Sequence, residues 1–342
     1  MGTDEGKKGE GGQGLSKQTK THKPTHTDIT SIIKQTTHHI NKSPYLSHLM
    51  SQRPLKYVVG LLLLFALSVG TITAQHHSKR PRIGLVLGGG GAKGAAHVGV
   101  LRVLQNLNVP IHCVVGTSIG SIIGGLYAAG VPVNTLDSLF REQDWARLFA
   151  LEVVKRDAIE ELFRSLLPDN VPEDFDKLPK PFRCVAVDLH TMHEVVFSEG
   201  DLAQAMRASM AIPGVLRSVK TDSMKLVDGG VLNNLPVDIA RQMGADIVIA
   251  VDLQQNQHKE DKVQEDYKWN PKSTKAPHID WLLKRPDWDI YQRNKHNADI
   301  LIHPNLKGYG VASFAKKHIE AMIEIGYNTA MKQKRKLKKL RR

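Results

Sequence analysis

A serine hydroxyl becomes a useful nucleophile only where the backbone holds it clear of neighbouring side chains and a base stands beside it. Residues Gly116-Thr117-Ser118-Ile119-Gly120 meet the first condition. Glycine two positions to either side lets the chain bend sharply while Ser118 Oγ projects outward, the layout of a nucleophile elbow between a strand and a helix. A second stretch, Gly88 to Gly94, has several readings. A Walker loop needs Gly-Lys followed by a hydroxyl residue, whereas here the order is Lys93-Gly94 and no hydroxyl follows. A dinucleotide fingerprint drawn through Gly89, Gly91 and Gly94 asks for an acidic residue about 20 positions on. Val115-Gly116-Thr117 occupies that place. The reading that fits is an oxyanion hole. The N–H groups of Gly89, Gly90 and Gly91 at a helix start point at one spot, Gly94 closes the turn, and Lys93 adds positive potential. The plain alternative is that four successive glycines merely permit a tight turn against a sheet.

Both stretches need a scaffold that brings strand ends together. Apolar runs at Ile83 to Leu87 and Ile111 to Val115 each meet glycine at their C-terminal end and each precede a helical pattern. That is the grammar of an α/β protein with a mostly parallel sheet, whose ligands gather at strand C-termini. Ile119, Ile122, Ile123 and Leu126 form an apolar helix stripe, with Gly120, Gly124 and Gly125 allowing close approach to the sheet.

On Gly89-Gly90-Gly91-Ala92-Lys93-Gly94, on Gly116 to Gly120 and on Asp228-Gly229-Gly230, the chain resembles a patatin-like phospholipase of the bacterial exported type. The resemblance runs from about Arg82 to Asp252, more weakly to about Tyr327. It implies a three-layer α/β/α fold with a mostly parallel central sheet. It also implies a Ser-Asp dyad hydrolase acting on acyl esters of lipids, with Ser118 as nucleophile and Asp228 as general base. No metal or cofactor is called for, and the implied partners are a lipid or acyl ester and a membrane surface. In the residues themselves, Met224 to Val227 reads as a strand ending at Asp228, and Gly229 and Gly230 remove steric cover from its carboxylate. Asp-Gly is also a common turn signal, and standing alone Asp228 reads as a turn aspartate. A carboxylate near its ordinary pKa of about 3.9 is a weak base for a hydroxyl, so such a site needs burial or strong oxyanion stabilisation.

The chain has 342 residues, 41% of them apolar, enough for one substantial domain with appendages. Its net charge of +13 sits at the ends. Residues 1–80 carry 11 Lys/Arg against 4 Asp/Glu, residues 331–342 carry 8 against none, and residues 81–330 carry 28 against 30. A near-neutral body argues against a nucleic-acid partner. The basic tail from Lys332 to Arg342 reads as a solvated helix end or a contact for anionic lipid. Residues 1–49 have the composition of a disordered segment. Residues 50–74 run from basic through apolar to small residues, the layout of a signal peptide. On that layout Met50 is the initiator and the mature chain starts near Gln75. The competing reading is an uncleaved anchor, since Tyr57 to Ala74 provides 18 residues, at the lower limit of a bilayer span. Either way the protein is expected in the cell envelope, periplasmic or membrane-associated, with a linker at 75–81, the hydrolase body at 82–330 and the tail at 331–342.

Further along, Val133 to Phe149 reads as a helix, Glu152 to Pro181 as a helical excursion with loops, and Pro181 to Asp188 and Glu194 to Phe197 as strands. Asp201 reads as the N-cap of a helix to Met210, Met243 to Leu253 and Asp299 to His303 as strands, and Ala315 as the start of the last helix. Cys113 and Cys184 read as buried thiols, Asn233, Asn234 and Pro236 as residues that fix the loop after Asp228, and Ser209 as a structural serine because it lacks an elbow. Two rivals stand against the Ser-Asp hydrolase. One is a Ser-His-Asp esterase using His303 or His318, and the other is a lipid-binding module without catalysis.

Overall fold

The computed structural model describes residues 80–155, 157–255 and 287–341. The expected signal peptide or anchor at 50–74, the segment before it and the linker up to residue 79 lie outside the described residues. Strand β1 (Ile83–Leu87) leads through a 3-10 turn (Gly91–Gly94) into helix α1 (Ala95–Asn106). Strand β2 (Cys113–Thr117) is followed by α2 (Ile119–Ala128), α3 (Val133–Glu142), α4 (Trp145–Val154) and α5 (Ala158–Leu166). Then come β3 (Phe182–Asp188), β4 (His193–Phe197), α6 (Leu202–Ser209), β5 (Val219–Lys220), β6 (Lys225–Asp228) and α7 (Val237–Gln242). The remaining elements are β7 (Ile247–Val251), α8 (Trp288–Asn297), β8 (Ile300–Ile302), α9 (Lys316–Lys332) and α10 (Lys334–Lys339).

Among the described residues eight strands form one mixed sheet in the order β5-β6-β3-β2-β1-β7-β8, with β4 also paired to β3. Strands β3, β2, β1, β7 and β8 are mutually parallel, and β4, β5 and β6 make an antiparallel corner. The central strands are buried on both faces, which is why they read as continuous apolar runs. Ile83, Leu85 and Leu87 pack on one face with α1, α2 and α9, while Val86, Val115 and Val248 pack on the other with α7 and Tyr291. This alternation gives the three layers: helices, sheet, helices. Both cysteines are buried and free.

Several expected boundaries move. Strand β2 runs two residues later than its apolar content indicates, because Gly116 and Thr117 pair with Cys184 and Val185. Ile111 falls outside the ladder, and His112 continues it differently, its ring Nδ1 accepting from the Ile83 N–H at 2.9 Å. The helix expected over Val133 to Phe149 is two helices, broken at Gln143 and Asp144. Asp144 caps the second by accepting from the Arg147 N–H at 3.0 Å. The strand expected from Met243 starts only at Ile247, after a turn in which Gly244 takes φ 82°. Asp201 caps α6 through the Gln204 N–H at 3.0 Å. The basic tail is folded onto the body rather than separate from 331 onward: α10 continues from α9, and Leu337 is fully buried.

Candidate active site

Ser118 stands between β2 and α2 with φ 56° and ψ −127°, a conformation that costs a non-glycine residue about 1–3 kcal/mol and needs support from its surroundings. The glycines on either side allow it. A Cβ at Gly116 would lie 2.3 Å from the Gly120 carbonyl oxygen, and one at Gly120 would lie 2.0 Å from that of Leu87. The bent residue is held at every polar atom. Its N–H donates to Ser209 Oγ at 3.0 Å. Its carbonyl accepts from the Ser121 N–H at 2.8 Å and from Ser121 Oγ at 2.6 Å. Its own Oγ donates to Asp228 Oδ2 at 2.6 Å.

Strand register explains how residues 110 positions apart meet. Strand β4 covers one edge of β3 along Cys184 to Asp188. Both β2 and β6 must therefore use the other edge, where Thr117 pairs with Val185 and Asp228 with Ala186. The two strands approach tip to tip along that edge from opposite directions, and the residues at their tips face each other. An antiparallel β6 does this where a parallel neighbour of β2 would not. Asp228 is 6% exposed, and its other carboxylate oxygen accepts from the Gly230 N–H at 2.8 Å. Burial pushes its pKa up to about 6, against the opposing pull of the Ser118 hydroxyl and the Gly230 N–H.

The glycine loop passes alongside, pinned at several points. The Gly88 N–H donates to the Val251 carbonyl at 3.0 Å and the Ala92 N–H to that of Val311 at 2.8 Å. The Gly89 N–H, one of the three expected to face a substrate oxygen, is instead spent on the Asn234 carbonyl at 3.2 Å. That bond, with Asn234 Nδ2 donating back to the Gly89 carbonyl at 3.4 Å, staples the glycine loop to the loop after Asp228. Among the described residues no acceptor takes the N–H of Gly90 or Gly91. Gly91 has φ 57° and lies against Val311, a place no side chain would fit. Gly94 packs on Ile119, and Lys93 is buried at 2% exposure in the 3-10 turn. Gly229 packs on the Val185 carbonyl and Gly230 beside Asn234.

Residues that no short motif marks complete the site. His97 on α1 is fully buried and lies 2.8 Å from the Gly88 carbonyl through Nε2. Burial holds its pKa down to about 4, so near neutral pH the ring is uncharged and Nε2–H is the donor. A histidine inside the otherwise apolar run Ala95 to Leu101 is the one sequence signal for it. Asn233 ties the loop further: its carbonyl accepts from Thr117 Oγ1 at 2.9 Å, and its side chain bonds Asp238 and Asn294. The two histidines of the rival triad are engaged elsewhere. His303 Nδ1 lies 3.1 Å from Asp252, which also accepts from Tyr291 at 2.8 Å, and His318 meets the edge of Tyr309.

Residues 85–241 match the family model described as patatin-like phospholipase. These residues are similar to that family, and the matched stretch is less than half of the chain. Relatives of the patatin-like domain include an uncharacterised NTE family protein of Mycobacterium tuberculosis, 35% identical over 184 residues, 52% of this chain and 50% of that one. Patatin-like phospholipase domain-containing protein 6 of Homo sapiens is 39% identical over 186 residues, 50% of this chain and 13% of that one. Lysophospholipase nte1 of Aspergillus fumigatus is 29% identical over 276 residues, 72% of this chain and 18% of that one. The chain thus spans half or less of the length of these relatives. Among the described residues no helix is long and apolar enough to cross a membrane.

Proposed function

We propose that the protein is a serine acyl hydrolase that cleaves fatty-acyl esters of phospholipids or related lipids, with Ser118 as nucleophile and Asp228 as general base. The observation that carries this reading is the 2.6 Å hydrogen bond from Ser118 Oγ to a buried Asp228 carboxylate, beside two glycine N–H groups that find no acceptor among the described residues. As Oγ attacks the ester carbonyl carbon, Asp228 takes its proton. The oxyanion that forms is held by the Gly90 and Gly91 N–H groups. Collapse breaks the ester C–O bond, and the leaving alcohol takes the proton from Asp228. Water then attacks the acyl-enzyme while Asp228 accepts its proton, and the fatty acid leaves as Ser118 regains a hydrogen. A carboxyl with a pKa of about 6 serves both directions of this transfer near neutral pH better than an ordinary aspartate.

Substrate presentation at a membrane surface and export or tethering through residues 50–74 belong to the same proposal, on the composition of the N-terminal segment. Ser118→Ala is expected to lower hydrolysis of a p-nitrophenyl acyl ester by at least about 10³-fold and to abolish fatty-acid release from phosphatidylcholine vesicles. Turnover retained in that variant, with the protein folded, overturns the proposal. Lipid association with no covalent labelling of Ser118 by a fluorophosphonate probe favours a lipid-binding module instead. N-terminal sequencing of the native protein tests the start at Met50 and the mature terminus near Gln75, and a chain that retains residues 1–49 removes both.

A further inference from the structure

We infer that the C-terminal turn of α6 and the residues just after it, 208–211, form a clamp that sets the spacing of Ser118 and Asp228, with Ser209 as its positioning residue. This inference rests on the roles proposed above for the two clamped residues. The β2–β3 ladder ends at the pair Thr117 and Val185. The next rung is lost because Ser118 turns away into a positive-φ conformation. Ser209 fills the gap. Its Oγ accepts from the Ser118 N–H at 3.0 Å and donates to the Val185 carbonyl at 2.6 Å, so one hydroxyl replaces the missing rung. Two residues on, the Ala211 carbonyl accepts from the Asp228 N–H at 3.0 Å. The backbones of the serine and the aspartate are therefore hung from the same short segment, one at each end.

The segment is built for that position. Ala208, Ser209 and Ala211 carry small side chains and are fully buried. A hydroxyl both donates and accepts through one atom, which alanine cannot do and a thiol does weakly. The clamp is in turn anchored from behind. Arg207, 3% exposed, donates from Nε to Glu152 at 2.8 Å and from its NH2 group to the Arg217 carbonyl at 3.1 Å. Glu152 also accepts from the Ile159 N–H at 2.9 Å. This ties the turn to α4 and α5 as well as to the sheet. Removing the Ser209 hydroxyl leaves a buried N–H and a buried carbonyl unpaired and releases one end of the strained serine. Reacting groups displaced by about 1 Å lose up to about 10²-fold in rate.

The test uses the full chain, a soluble p-nitrophenyl ester and a fluorophosphonate probe. Ser209→Ala is expected to lower kcat by at least about 10-fold with KM within about threefold, and to slow labelling of Ser118 in proportion. A residue that only stabilises the fold would lower the melting temperature and leave the rate per folded molecule unchanged. If the alanine variant does not fold, Ser209→Cys, close in volume and weak in hydrogen bonding, carries the same expectation. A folded Ala or Cys variant with wild-type kcat and labelling rate overturns the clamp alone. A wild-type protein in which the probe does not label Ser118 overturns the dyad reading first, and the clamp with it.

Discussion

Asp188 and Asp228 end two strands that pair with each other, β3 and β6, and both are nearly covered, at 3% and 6% exposure. Their surroundings drive them apart. The Asp188 carboxylate accepts from the Lys225 N–H at 3.0 Å, the His190 N–H at 3.1 Å and Thr191 Oγ1 at 2.9 Å. Led by the Lys225 N–H, these donors hold its pKa down to about 2. Asp228 has the Ser118 hydroxyl and one N–H, from Gly230, and burial outweighs them, pushing it up to about 6. The difference lies in how many donors reach each carboxylate. Two donors from the turn after β3 and one from the start of β6 make Asp188 a fixed anion, while the glycines after Asp228 leave it short of donors and ready to take a proton.

The comparison breaks most visibly in catalysis. Asp228→Asn is expected to reduce kcat/KM by about 10³-fold, within the range for removing a general base, while Asp188→Asn leaves it within about twofold. Equal losses in the two variants, measured on folded protein with the same soluble ester, would end the distinction. Next in size is the pH profile. With Asp228 as the base, kcat/KM falls by about 10-fold per pH unit below a midpoint close to the Asp228 pKa of about 6. Asp188, held near 2, does not titrate in that window. A rate that stays flat down to pH 5 shows that some other group governs the reaction.

The contrast between the aspartates also measures what was legible in the chain. Both glycine motifs and the strand leading to each could be located because the steric demand is local: Gly116 and Gly120 flank the residue they relieve. The pairing of β6 antiparallel to β3 could not, since Met224 to Val227 has the same apolar content whichever way it runs. The shift of β2 to Thr117 depends on partners in β3, and the break at Gln143 depends on Asp144 finding the Arg147 N–H. Ser209 read as structural because it lacks an elbow, and its partners, 91 and 24 residues away, leave no local mark. The oxyanion loop read as three equivalent glycines, and only the contact with Asn234 removes Gly89 from the set. Local geometry is written in short motifs; hydrogen-bond partners are set by topology.

A smaller effect concerns stability. The Asp228 pKa is raised from 3.8 to about 6, so the folded state holds this proton more tightly than the unfolded chain does. The cost of the buried charge is absent below about pH 4 and fully present above about pH 6, where it reaches about 3 kcal/mol. Wild-type stability should therefore decline relative to Asp228→Asn as pH rises from 4 to 7, seen as converging or crossing melting temperatures. A constant difference between the two proteins across that range contradicts the raised pKa.

The smallest expected effect carries the opposite sign. Asp188 is depressed from 3.8 to about 2, so its anion favours the folded state above about pH 4, and that contribution fades as pH falls through its folded value. Asp188→Asn is thus expected to melt at a lower temperature than wild type at neutral pH, with a gap that stays constant from pH 7 to 5 and narrows toward pH 3. The variant keeps an acceptor oxygen but puts an amide N–H₂ toward donors it cannot accept from, which is where the loss arises. If the gap instead widens on acidification, the three donors around Asp188 are not what holds its charge. The two strand ends would then differ for a reason other than the number of donors that reach them.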